Sequence, residues 1–491
     1  MITQSRFEHT RKPRLFAAAA VLLTAAILVS TSGTSSAAPC DIYASAGTPC
    51  VAAHSTTRAM FDAYNGPLYQ VRRSSDNATR DIGLLSAGGT ADAAAQDSFC
   101  AGTTCLISII YDQSGRRNHL TQAPPGGFRG PAAGGFDNLA NATAAPITIG
   151  GRKAYGVFVA PGTGYRNNAT SGIATGSASQ GVYMVAAGGH VNSGCCFDYG
   201  NAETNSRDNG NGRMGAVYFG TLCWFGFVVP GQCVGSGPWV MADLENGLFA
   251  GANGTNTNNT GRNSAFVTAM IKMNSTSYAI KDGNANSGGL KTDYSGPLPT
   301  TSGYTPLRLE GAIILGIGGD NSNGSAGTFY EGVMTSGFPS DATENAVQAN
   351  IVAAGYSQSV GGSRTGPIVS GLNTAKCMDD NNGSATPGTK VQMWDCNGFA
   401  AAQSWTVNGN GTITINGGCL DITGNRSANG TLIELWTCNG GGNQQWQAIN
   451  GQLVNPATGK CLDDPNRNTT NGTQLILWDC NGGANQQWRL P

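Results

Sequence analysis

The stretch GPWVMADLENG, residues 237–247, predicts a short strand that ends in a turn. Side chains alternate between the two faces of a strand, so Trp239, Asp243 and Glu245 should share one face. Two carboxylates this close should perturb the pKa of at least one of them. An aromatic ring beside paired acids is typical of sites that cleave sugars. The plainer alternative is a surface tryptophan beside a rim of solvated acids.

The composition favours an all-β protein with more than one domain. A chain of 491 residues corresponds to roughly two to four domains. Its 72 glycines suit a fold with many turns. Only 12% of the residues are charged and the net charge is −1, so we expect no nucleic-acid partner and no membrane partner.

The N-terminus has the pattern of a secretory signal. Basic residues precede an apolar run over residues 15–29, and small residues follow over 31–38. This pattern predicts a signal peptide covering residues 1–38, cut after Ala37 or Ala38. A membrane anchor is the alternative, but the apolar run is short for a span. We therefore expect a secreted, extracellular protein that can hold disulfide bonds.

The cysteines predict a framework of seven disulfide bonds. All 14 follow the expected cleavage site, and their number is even. Local spacing in the first part of the chain, and a repeat in the last part, predict these pairs: Cys40–Cys50, Cys100–Cys105, Cys223–Cys233, Cys377–Cys396, Cys419–Cys438 and Cys461–Cys480.

By elimination, Cys195 and Cys196 are left to pair with each other. A ring closed between adjacent residues is strained, and strain tends to cluster at functional sites. Such a ring would be a rigid apolar platform suited to the face of a sugar. The alternative is a pair of free buried thiols.

The chain lacks the motifs of common metal sites. No CxxC or HExxH sequence occurs, and few histidines follow the predicted cleavage site. We therefore expect no metal and no cofactor.

Local patterns place several elements between residues 39 and 356. Ser55–Tyr64 predicts a short helix, and Leu106–Tyr111 a buried strand. A second buried strand begins at Gly311 and runs into a Gly-Gly turn that presents Asp320. Turns rich in Gly, Pro and Asn recur at short intervals, as in a β-sandwich.

One helix closes this region. Ser340–Tyr356 has a capping-box-like start and ends at Gly355. A short polar linker, residues 357–365, follows it.

Residues 366–491 repeat themselves three times. Cys377, Cys419 and Cys461 are evenly spaced, and each repeat has a Trp two residues before its second Cys. Three such units predict a threefold architecture in which no unit is stable alone. The region resembles the ricin-type β-trefoil lectins, or carbohydrate-binding module family 13.

That resemblance implies a sugar site in each repeat, built from an Asp, a polar residue, an aromatic ring and an Asn-Gln pair. Ala402 replaces the Asn in the first repeat, and Ile476 replaces the polar residue in the third. The implied residues are Asp379, Gln392 and Trp394; Asp421, Glu434, Trp436, Asn443 and Gln444; and Asp463, Trp478, Asn485 and Gln486. The alternative for the closing Gln and Trp residues is a role in the threefold core.

A sugar-cleaving site that retains configuration needs two carboxyl groups about 5–5.5 Å apart on opposite sides of the bond. Asp243 and Glu245 would approach from the same side, so the partner should come from another element. Asp320 is well placed. The residue patterns leave these rivals open: Asp112, Asp198, Glu203, Glu310 and Glu331.

Five motifs together resemble one catalytic domain. They are CDIY at 40–43, YDQSG at 111–115, CCFDYGNAE at 195–203, the stretch 239–249 and GGDNSNG at 318–324. They resemble the α-L-arabinofuranosidases of glycoside hydrolase family 54, which implies a β-sandwich and a retaining mechanism. The resemblance implies that Glu245 is the nucleophile and Asp320 the general acid/base. The substrate-binding residues it implies are Asp243, Asn246, Trp224, Cys195, Cys196 and Gly319.

The expected function is therefore that of a secreted, monomeric exo-α-L-arabinofuranosidase. It would trim arabinoxylan or arabinan in plant cell walls, held there by the trefoil. The alternatives are a secreted lectin without enzymatic activity, and a glycosidase of the β-xylosidase type.

Overall fold

The computed structural model describes residues 1–4, 37–223, 233–358, 364–408, 411–449 and 451–491. Residues 37–491 form one compact unit, and residues 1–4 carry no helix or strand. The predicted signal peptide lies outside the described residues, except for residues 1–4 and 37–38. No helix in the described ranges is long and apolar enough to cross a membrane.

The chain up to residue 358 is mostly strands joined by short turns. In chain order they are β1 (Cys50–Ser55), β2 (Tyr69–Arg73), β3 (Thr79–Ile82), β4 (Cys105–Ile110), β5 (Leu120–Gln122), β6 (Pro146–Ile149), β7 (Arg152–Tyr155), β8 (Val157–Val159), β9 (Tyr165–Asn167), β10 (Gln180–Ala187), β11 (Asp198–Ala202), β12 (Gly215–Gly220), β13 (Trp239–Asp243), β14 (Leu248–Phe249), β15 (Phe266–Met273), β16 (Ser277–Asn284), β17 (Ser287–Pro297), β18 (Ala312–Leu315), β19 (Gly327–Ser336) and β20 (Tyr356–Gln358).

Two antiparallel sheets pack face to face and form the sandwich that the sequence predicts. One has the order β1–β19–β10–β15–β16–β17, with β8 also paired to β19. The other has the order β14–β13–β12–β11–β18–β9–β5–β4–β2–β3. Side chains such as Met184, Ile271 and Phe219 fill the space between them. A small sheet, β20–β6–β7, lies beside the sandwich.

Helices are few and short. Those with α geometry in the described ranges are α1 (Pro39–Ser45), α2 (Ala93–Phe99), α3 (Asp341–Ala353) and α4 (Ala400–Gln403). Single 3-10 turns cover Ala133–Gly135, Thr301–Gly303, Asn381–Gly383, Thr423–Asn425, Gly442–Gln444, Pro465–Arg467 and Ala484–Gln486.

The predicted closing helix is confirmed as α3. The hydroxyl of Ser340 caps it by accepting the N–H of Thr343 at 3.1 Å, and Val347 and Ile351 are fully buried. The helix predicted over Ser55–Tyr64 is wrong, because Ser55 ends strand β1, which pairs with β19. Turns and bends follow β1, and the N–H of Thr56 donates to the carbonyl of Tyr330 in β19 at 3.1 Å, so contacts with the sheet replace the first turn of the predicted helix.

The C-terminal region folds as the predicted trefoil. Its strands are β21 (Arg364–Gly366), β22 (Val369–Ser370), β23 (Lys376–Asp380), β24 (Thr389–Asp395), β25 (Trp405–Val407), β26 (Ile413–Ile415), β27 (Gly418–Ile422), β28 (Thr431–Thr437), β29 (Gln447–Ile449), β30 (Gln452–Asn455), β31 (Lys460–Asp463), β32 (Ile476–Trp478) and β33 (Trp488–Arg489). The buried indoles of Trp405, Trp446 and Trp488 each donate to a main-chain carbonyl at 2.9–3.1 Å. This repeated contact forms the threefold core.

Disulfide bonds join all seven predicted cysteine pairs, including the adjacent Cys195 and Cys196. Three of these bonds lie in the trefoil, one in each repeat. Each closes a loop between cysteines 19 residues apart, which stabilises a repeat by roughly 3 kcal/mol.

The trefoil contacts the sandwich through one of its turns. His190 Nε2 lies 3.3 Å from the carbonyl of Pro456, and Asn192 donates to the carbonyl of Ala457 at 3.4 Å. Burial lowers the pKa of His190 to about 3, so its ring is neutral and donates from Nε2 while Nδ1 accepts from Thr328. A cavity of about 440 Å³ lies between the two domains beside this contact.

Candidate active site

A cavity of about 230 Å³ lies beside one sheet of the sandwich, and both predicted catalytic residues line it. The described residues that line it are Phe128, Cys195, Asp208, Leu222, Asp243, Glu245, Asn246, Gly318, Gly319, Asp320 and Ser322. All of them except Phe128 come from segments next to β11, β12, β13 and β18, which are neighbours in one sheet. The fold therefore joins the two predicted acids, Glu245 and Asp320, at one cavity.

Glu245 reaches the cavity from a tight turn. Strand β13 ends at Asp243, and Glu245 and Asn246 have φ angles of 63° and 56°. Two consecutive left-handed residues between paired strands form a type I′ hairpin turn. The prediction that Glu245 continues the strand face is therefore wrong. Left-handed backbone is costly for a glutamate, and such strain is typical of functional sites.

Several hydrogen bonds hold this turn. Asp243 Oδ1 accepts the N–H of Glu245 at 3.0 Å, and the Tyr304 hydroxyl donates to the Glu245 carbonyl at 2.5 Å. The N–H of Gly212 donates to the carbonyl of Leu244 at 2.8 Å. The main chain that carries Glu245 is thus fixed from three sides.

Asp320 lies in the loop that follows β18. Its Oδ1 accepts the N–H of Ser322 at 2.9 Å, and its carbonyl accepts the N–H of Phe128 at 3.2 Å. Gly319 comes directly before it and lies against both glutamates: a Cβ there would collide with Glu203 Oε2 and lie 2.7 Å from Glu245 Oε2. Only glycine fits between the loop and these carboxyl groups.

Two buried acids stand behind the two acids of the hairpin. The carboxyl groups of Asp198 and Asp243 lie within hydrogen-bonding reach, and so do those of Glu203 and Glu245. Burial, with repulsion from Asp243, raises the pKa of Asp198 well above its usual value. Burial raises the pKa of Asp243 to about 7. Burial also raises the pKa values of Glu203 and Glu245, so each pair holds a proton at neutral pH.

Arg166 is the buried cation beside these acids. Its Nη1 donates to the carbonyl of Gly319 at 2.7 Å, and its Nη2 donates to the carbonyl of Glu203. Burial lowers the pKa of Arg166 to about 10, although the carboxylates around it act in the opposite direction. The guanidinium therefore supports the loop and the end of β11 through main-chain bonds.

The remaining predicted substrate contacts lie as follows. Cys195 lines the cavity, its Sγ 3.4 Å from the Ser322 hydroxyl, whereas Cys196 is fully buried. Asn246 donates to Asp208 Oδ1 at 3.1 Å. Trp224 lies outside the described residues. Trp239 is buried and its indole donates to the carbonyl of Val234, so it packs in the core instead of facing solvent.

Three of the rival acids have structural partners away from the cavity. Glu331 forms a buried ion pair with Arg58 at 2.5 Å. Asp112 accepts main-chain N–H groups, including that of Ala53 at 2.9 Å. Glu310 accepts from the side chain of Asn209 at 2.8 Å.

Among the described residues, two groups of side chains have ligand atoms close enough to hold a metal ion, with all atoms of a group within 4.8 Å of one another. One is Cys195, Cys196 and Asp243, but a disulfide bond uses its sulfur atoms. The other is Glu203, Asp208 and Glu245. Protons can relieve the repulsion in this second group as a cation would, so the cluster alone does not identify a metal centre.

Sequence reasoning missed part of this site. Arg166 sits in β9, and no sequence motif connects it with Gly319. Phe128 and Leu222 line the cavity from loops whose sequences give no periodic signal. Glu203 could be found as a candidate acid from the sequence, but not as the neighbour of Glu245.

In the second and third repeats of the trefoil, two amides hold the predicted aspartate. Asp421 Oδ2 accepts from Asn443 at 2.8 Å and from Gln444 at 2.7 Å. Asp463 Oδ2 accepts from the amides of Asn485 and Gln486 in the same way, at 3.0 and 2.7 Å. No described residue donates to Oδ1 of either aspartate, which leaves that oxygen for a ligand.

The first repeat differs. Asp379 Oδ1 accepts from Gln392 at 3.0 Å, and its Oδ2 accepts from Gln403 at 2.9 Å, so both oxygens are occupied. The predicted sugar-binding tryptophans also differ between the first repeat and the other two. Trp394 is half-buried, whereas Trp436 and Trp478 are 42% and 41% exposed. Glu434 lies opposite Asp421 in the strand register, and Ile476 lies opposite Asp463.

Comparison with known proteins identifies both domains. A family model described as "Alpha-L-arabinofuranosidase B, catalytic" matches residues 39–357, and one for the ricin-type beta-trefoil lectin domain matches residues 364–488. Both resemblances drawn from the sequence motifs are thereby confirmed.

Individual relatives agree with these matches. The chain is 59% identical to a probable alpha-L-arabinofuranosidase B of Aspergillus terreus over 80% of its length and 78% of that protein. It is 66% identical to an arabinofuranosidase/B-xylosidase of Trichoderma koningii over 65% of its length and 63% of that protein. The solved structure of an arabinofuranosidase complexed with arabinofuranosyl-alpha-1,2-xylobiose is similar with a TM-score of 0.72 and 42% identity, covering 92% of this chain and 98% of that one.

Proposed function

The chain belongs to the alpha-L-arabinofuranosidase B catalytic family, and on that premise we propose that it is a secreted, retaining exo-α-L-arabinofuranosidase. The observation that carries the proposal is that Glu245 and Asp320 line one cavity of about 230 Å³. Pockets for drug-sized ligands measure about 300–1,000 Å³, so this smaller one suits a single terminal sugar.

In the first step, Asp320 donates its proton to the glycosidic oxygen while a carboxylate oxygen of Glu245 attacks the anomeric carbon. The bond between that carbon and the leaving oxygen breaks, and a covalent arabinosyl–Glu245 ester forms. The leaving alcohol takes the proton from Asp320. Fixing Glu245 through its turn keeps the attacking oxygen near its target, which lowers the entropic part of the barrier.

In the second step, the Asp320 carboxylate removes a proton from water, and the water oxygen attacks the anomeric carbon. The ester to Glu245 breaks, and arabinose leaves with its original configuration. Both residues return to their starting protonation states.

Neighbouring groups would bind the arabinose during both steps. Asp243 accepts hydrogen bonds from its hydroxyls, Asn246 donates to them, and the Cys195 side of the Cys195–Cys196 disulfide packs against its carbon face. The family resemblance assigns a further apolar contact to Trp224. Gly319 lets the main chain approach the sugar closely. The restricted cavity favours removal of single terminal residues over cleavage within a polymer.

The trefoil would hold the enzyme on arabinoxylan or arabinan, with residues 39–356 as the catalytic domain, 357–365 as the linker and 366–491 as the binding domain. The free Oδ1 atoms of Asp421 and Asp463, each near an exposed Trp, support sugar binding in the second and third repeats. Two weak sites on one chain increase retention when both engage the same polymer.

A Glu245→Gln variant tests the proposal. It should lower kcat on 4-nitrophenyl α-L-arabinofuranoside by at least about 10⁴-fold, because the amide cannot form the ester. Its melting temperature should equal that of the wild type, and an Asp421→Asn variant should keep full activity. Proton NMR of the first product should show the α anomer. An active Glu245→Gln enzyme, or a β anomer formed first, would contradict the assignment.

A second activity on β-xylosides is the other candidate, favoured by the Trichoderma koningii relative, whose name includes a B-xylosidase. Arabinofuranose and xylopyranose are both pentoses, so the cavity volume alone does not separate them. Release of xylose from 4-nitrophenyl β-D-xyloside, lost together with arabinose release in Glu245→Gln, would establish this activity at the same site.

A further inference from the structure

Phe128 is an exposed aromatic residue at the rim of the cavity. Its side chain is 52% exposed, although it lines the same cavity as Glu245 and Asp320. Among the described residues that line the cavity, Phe128 is the one aromatic ring. A ring at the rim of a sugar-sized cavity offers a flat apolar face on which a bound ligand can pack.

The loop that carries Phe128 is fixed in place. The N–H of Gly127 donates to the carbonyl of Ser206 at 2.8 Å, and the N–H of Phe128 donates to the carbonyl of Asp320 at 3.2 Å. A Cβ on Gly126 would collide with the Ser206 carbonyl, and one on Gly127 would lie 2.9 Å from the Asp320 carbonyl. The main chain therefore packs tightly against the carbonyls of Ser206 and Asp320, which fixes the position of the Phe128 ring.

The link to Asp320 tells which part of the substrate Phe128 faces. In the proposed function, Asp320 gives its proton to the leaving oxygen, so the leaving sugar lies on the Asp320 side of the cavity. Phe128 is hydrogen-bonded to the main chain of that residue. A pyranose ring presents axial C–H groups that pack on an aromatic face.

We propose that Phe128 forms the leaving-group subsite and stacks on the backbone sugar that carries the arabinose. This inference rests on the proposed function and adds a specificity element to it. The ligand is a pyranose ring of the polysaccharide backbone. The ring helps the enzyme choose side chains on a sugar polymer over arabinosides of small alcohols.

The test compares two substrates that differ only in the leaving group. Phe128→Ala should lower kcat/KM on arabinofuranosyl-α-1,2-xylobiose about tenfold, as one stacking contact predicts. It should leave kcat/KM on α-L-arabinofuranosyl fluoride within about twofold of the wild type, because fluoride is too small to reach the ring. Phe128→Tyr should behave like the wild type on both.

Phe136 gives the matched control. It lies in the same loop, is 38% exposed and is not among the described residues that line the cavity. Phe136→Ala should leave both substrates unaffected. An unchanged rate on the xylobioside in Phe128→Ala, or equal losses on both substrates, would overturn the subsite. If the wild type hydrolyses neither substrate, the proposed function itself fails.

A second inference concerns Glu203, which follows β11. Its side chain is fully buried, and its carboxyl oxygens have no donor among the described residues. One of them lies within 4.8 Å of a Glu245 oxygen, and a Cβ on Gly319 would meet both carboxyl groups. Arg166 donates to main-chain carbonyls here and forms no hydrogen bond to either carboxyl group in the described structure.

Two buried carboxylates in contact, without a bonded cation, cannot both be ionised. We infer that, in the state that attacks the sugar, Glu203 holds the shared proton and donates a hydrogen bond to the Glu245 carboxylate, which keeps that carboxylate in place. Glu203 is thus a positioning residue. This inference also rests on the nucleophilic role of Glu245, which the Glu245→Gln variant tests separately.

Two substitutions test this role. Glu203→Gln keeps a donor and should retain kcat within a few-fold, whereas Glu203→Leu should lose about 100-fold in kcat with KM unchanged. Both variants should melt near the wild-type temperature, since glutamine and leucine are close to glutamate in volume and neither adds a buried charge. Equal activity of the two variants, whether high or low, would overturn the inference.

Discussion

The catalytic cavity and the trefoil both contain buried carboxyl groups, but these groups have different hydrogen-bonding partners in the two regions. In the trefoil, amide groups donate to Asp421 and Asp463. In the cavity, Asp243 and Glu245 lie against other carboxyl groups. The same residue types are therefore placed in two different electrostatic settings within one chain.

The difference shows what each region is built to do. Amide donors satisfy one oxygen of an aspartate and leave the other as a fixed acceptor for a hydroxyl. A second carboxyl group instead makes charge depend on where a shared proton lies. The first setting suits reversible binding, and the second suits the transfer of protons and the formation of a covalent bond.

The largest expected difference between the two regions is the loss of activity when an amide replaces the carboxyl group of Asp320. Asp320→Asn should lower kcat/KM on arabinofuranosyl-xylobiose about 10³-fold, because the poor leaving group needs the proton. The loss on 4-nitrophenyl arabinofuranoside should be much smaller. Asp421→Asn, the matched amide substitution in the trefoil, should change neither rate. Equal losses by Asp320→Asn on both substrates would remove Asp320 from the acid role.

Gly319 tests how closely the paired carboxyl groups must fit. Gly319→Ala places a methyl group against Glu203 and Glu245 and should lower kcat about 100-fold by displacing the attacking oxygen. Gly324 in the same loop is the control, because a Cβ there meets nothing closer than 3.7 Å. Similar activity of the two alanine variants would show that the carboxyl pair tolerates displacement.

The trefoil rings should affect binding and leave turnover unchanged. Trp436→Ala should weaken retention on insoluble arabinoxylan about tenfold, through loss of stacking at a site whose aspartate has a free oxygen. Trp394→Ala should have little effect, because both oxygens of Asp379 are already bonded. A pull-down assay, with kcat on a soluble substrate as reference, measures both. Equal weakening would contradict the distinction between repeats.

The smallest expected effect is a pH dependence of trefoil binding. Burial raises the pKa of Asp421 to about 6, so its carboxylate is charged at pH 7 and largely protonated at pH 5. Binding to arabinoxylan should therefore fall about threefold as the pH falls from 7 to 5. In Asp421→Asn the remaining binding should depend less on pH, although burial also raises the pKa of Asp463 in the third repeat. An unchanged pH profile in that variant would assign the effect to another group.

Much of the architecture could be predicted because its signals are local or repeat along the chain. Ser340 caps α3 through its own neighbours, and the even cysteine spacing marks the trefoil repeats. The pairing of Cys195 with Cys196 followed from counting. The helix predicted at Ser55–Tyr64 failed because a distant strand, β19, decides the backbone there.

The site was less accessible to sequence reasoning. The motifs identify Glu245 and Asp320, but the left-handed turn at Glu245 places its side chain where strand alternation does not. The contact of Glu203 with Glu245 joins residues from two strands that are not adjacent, and Phe128 comes from a remote loop. Such contacts form only when the sheet is assembled, so no local sequence pattern predicts them.

Asn192 links the trefoil to two chain segments that border the cavity. Its side-chain nitrogen donates to the carbonyls of Ala457 and Gly324, and its oxygen accepts the N–H of Gly194. One amide thus joins a turn of the binding domain to the segments that lead to Cys195 and from Asp320. A chimera with a foreign module would lose this joint unless the graft supplies a carbonyl at the same position, so the two domains are not freely interchangeable parts.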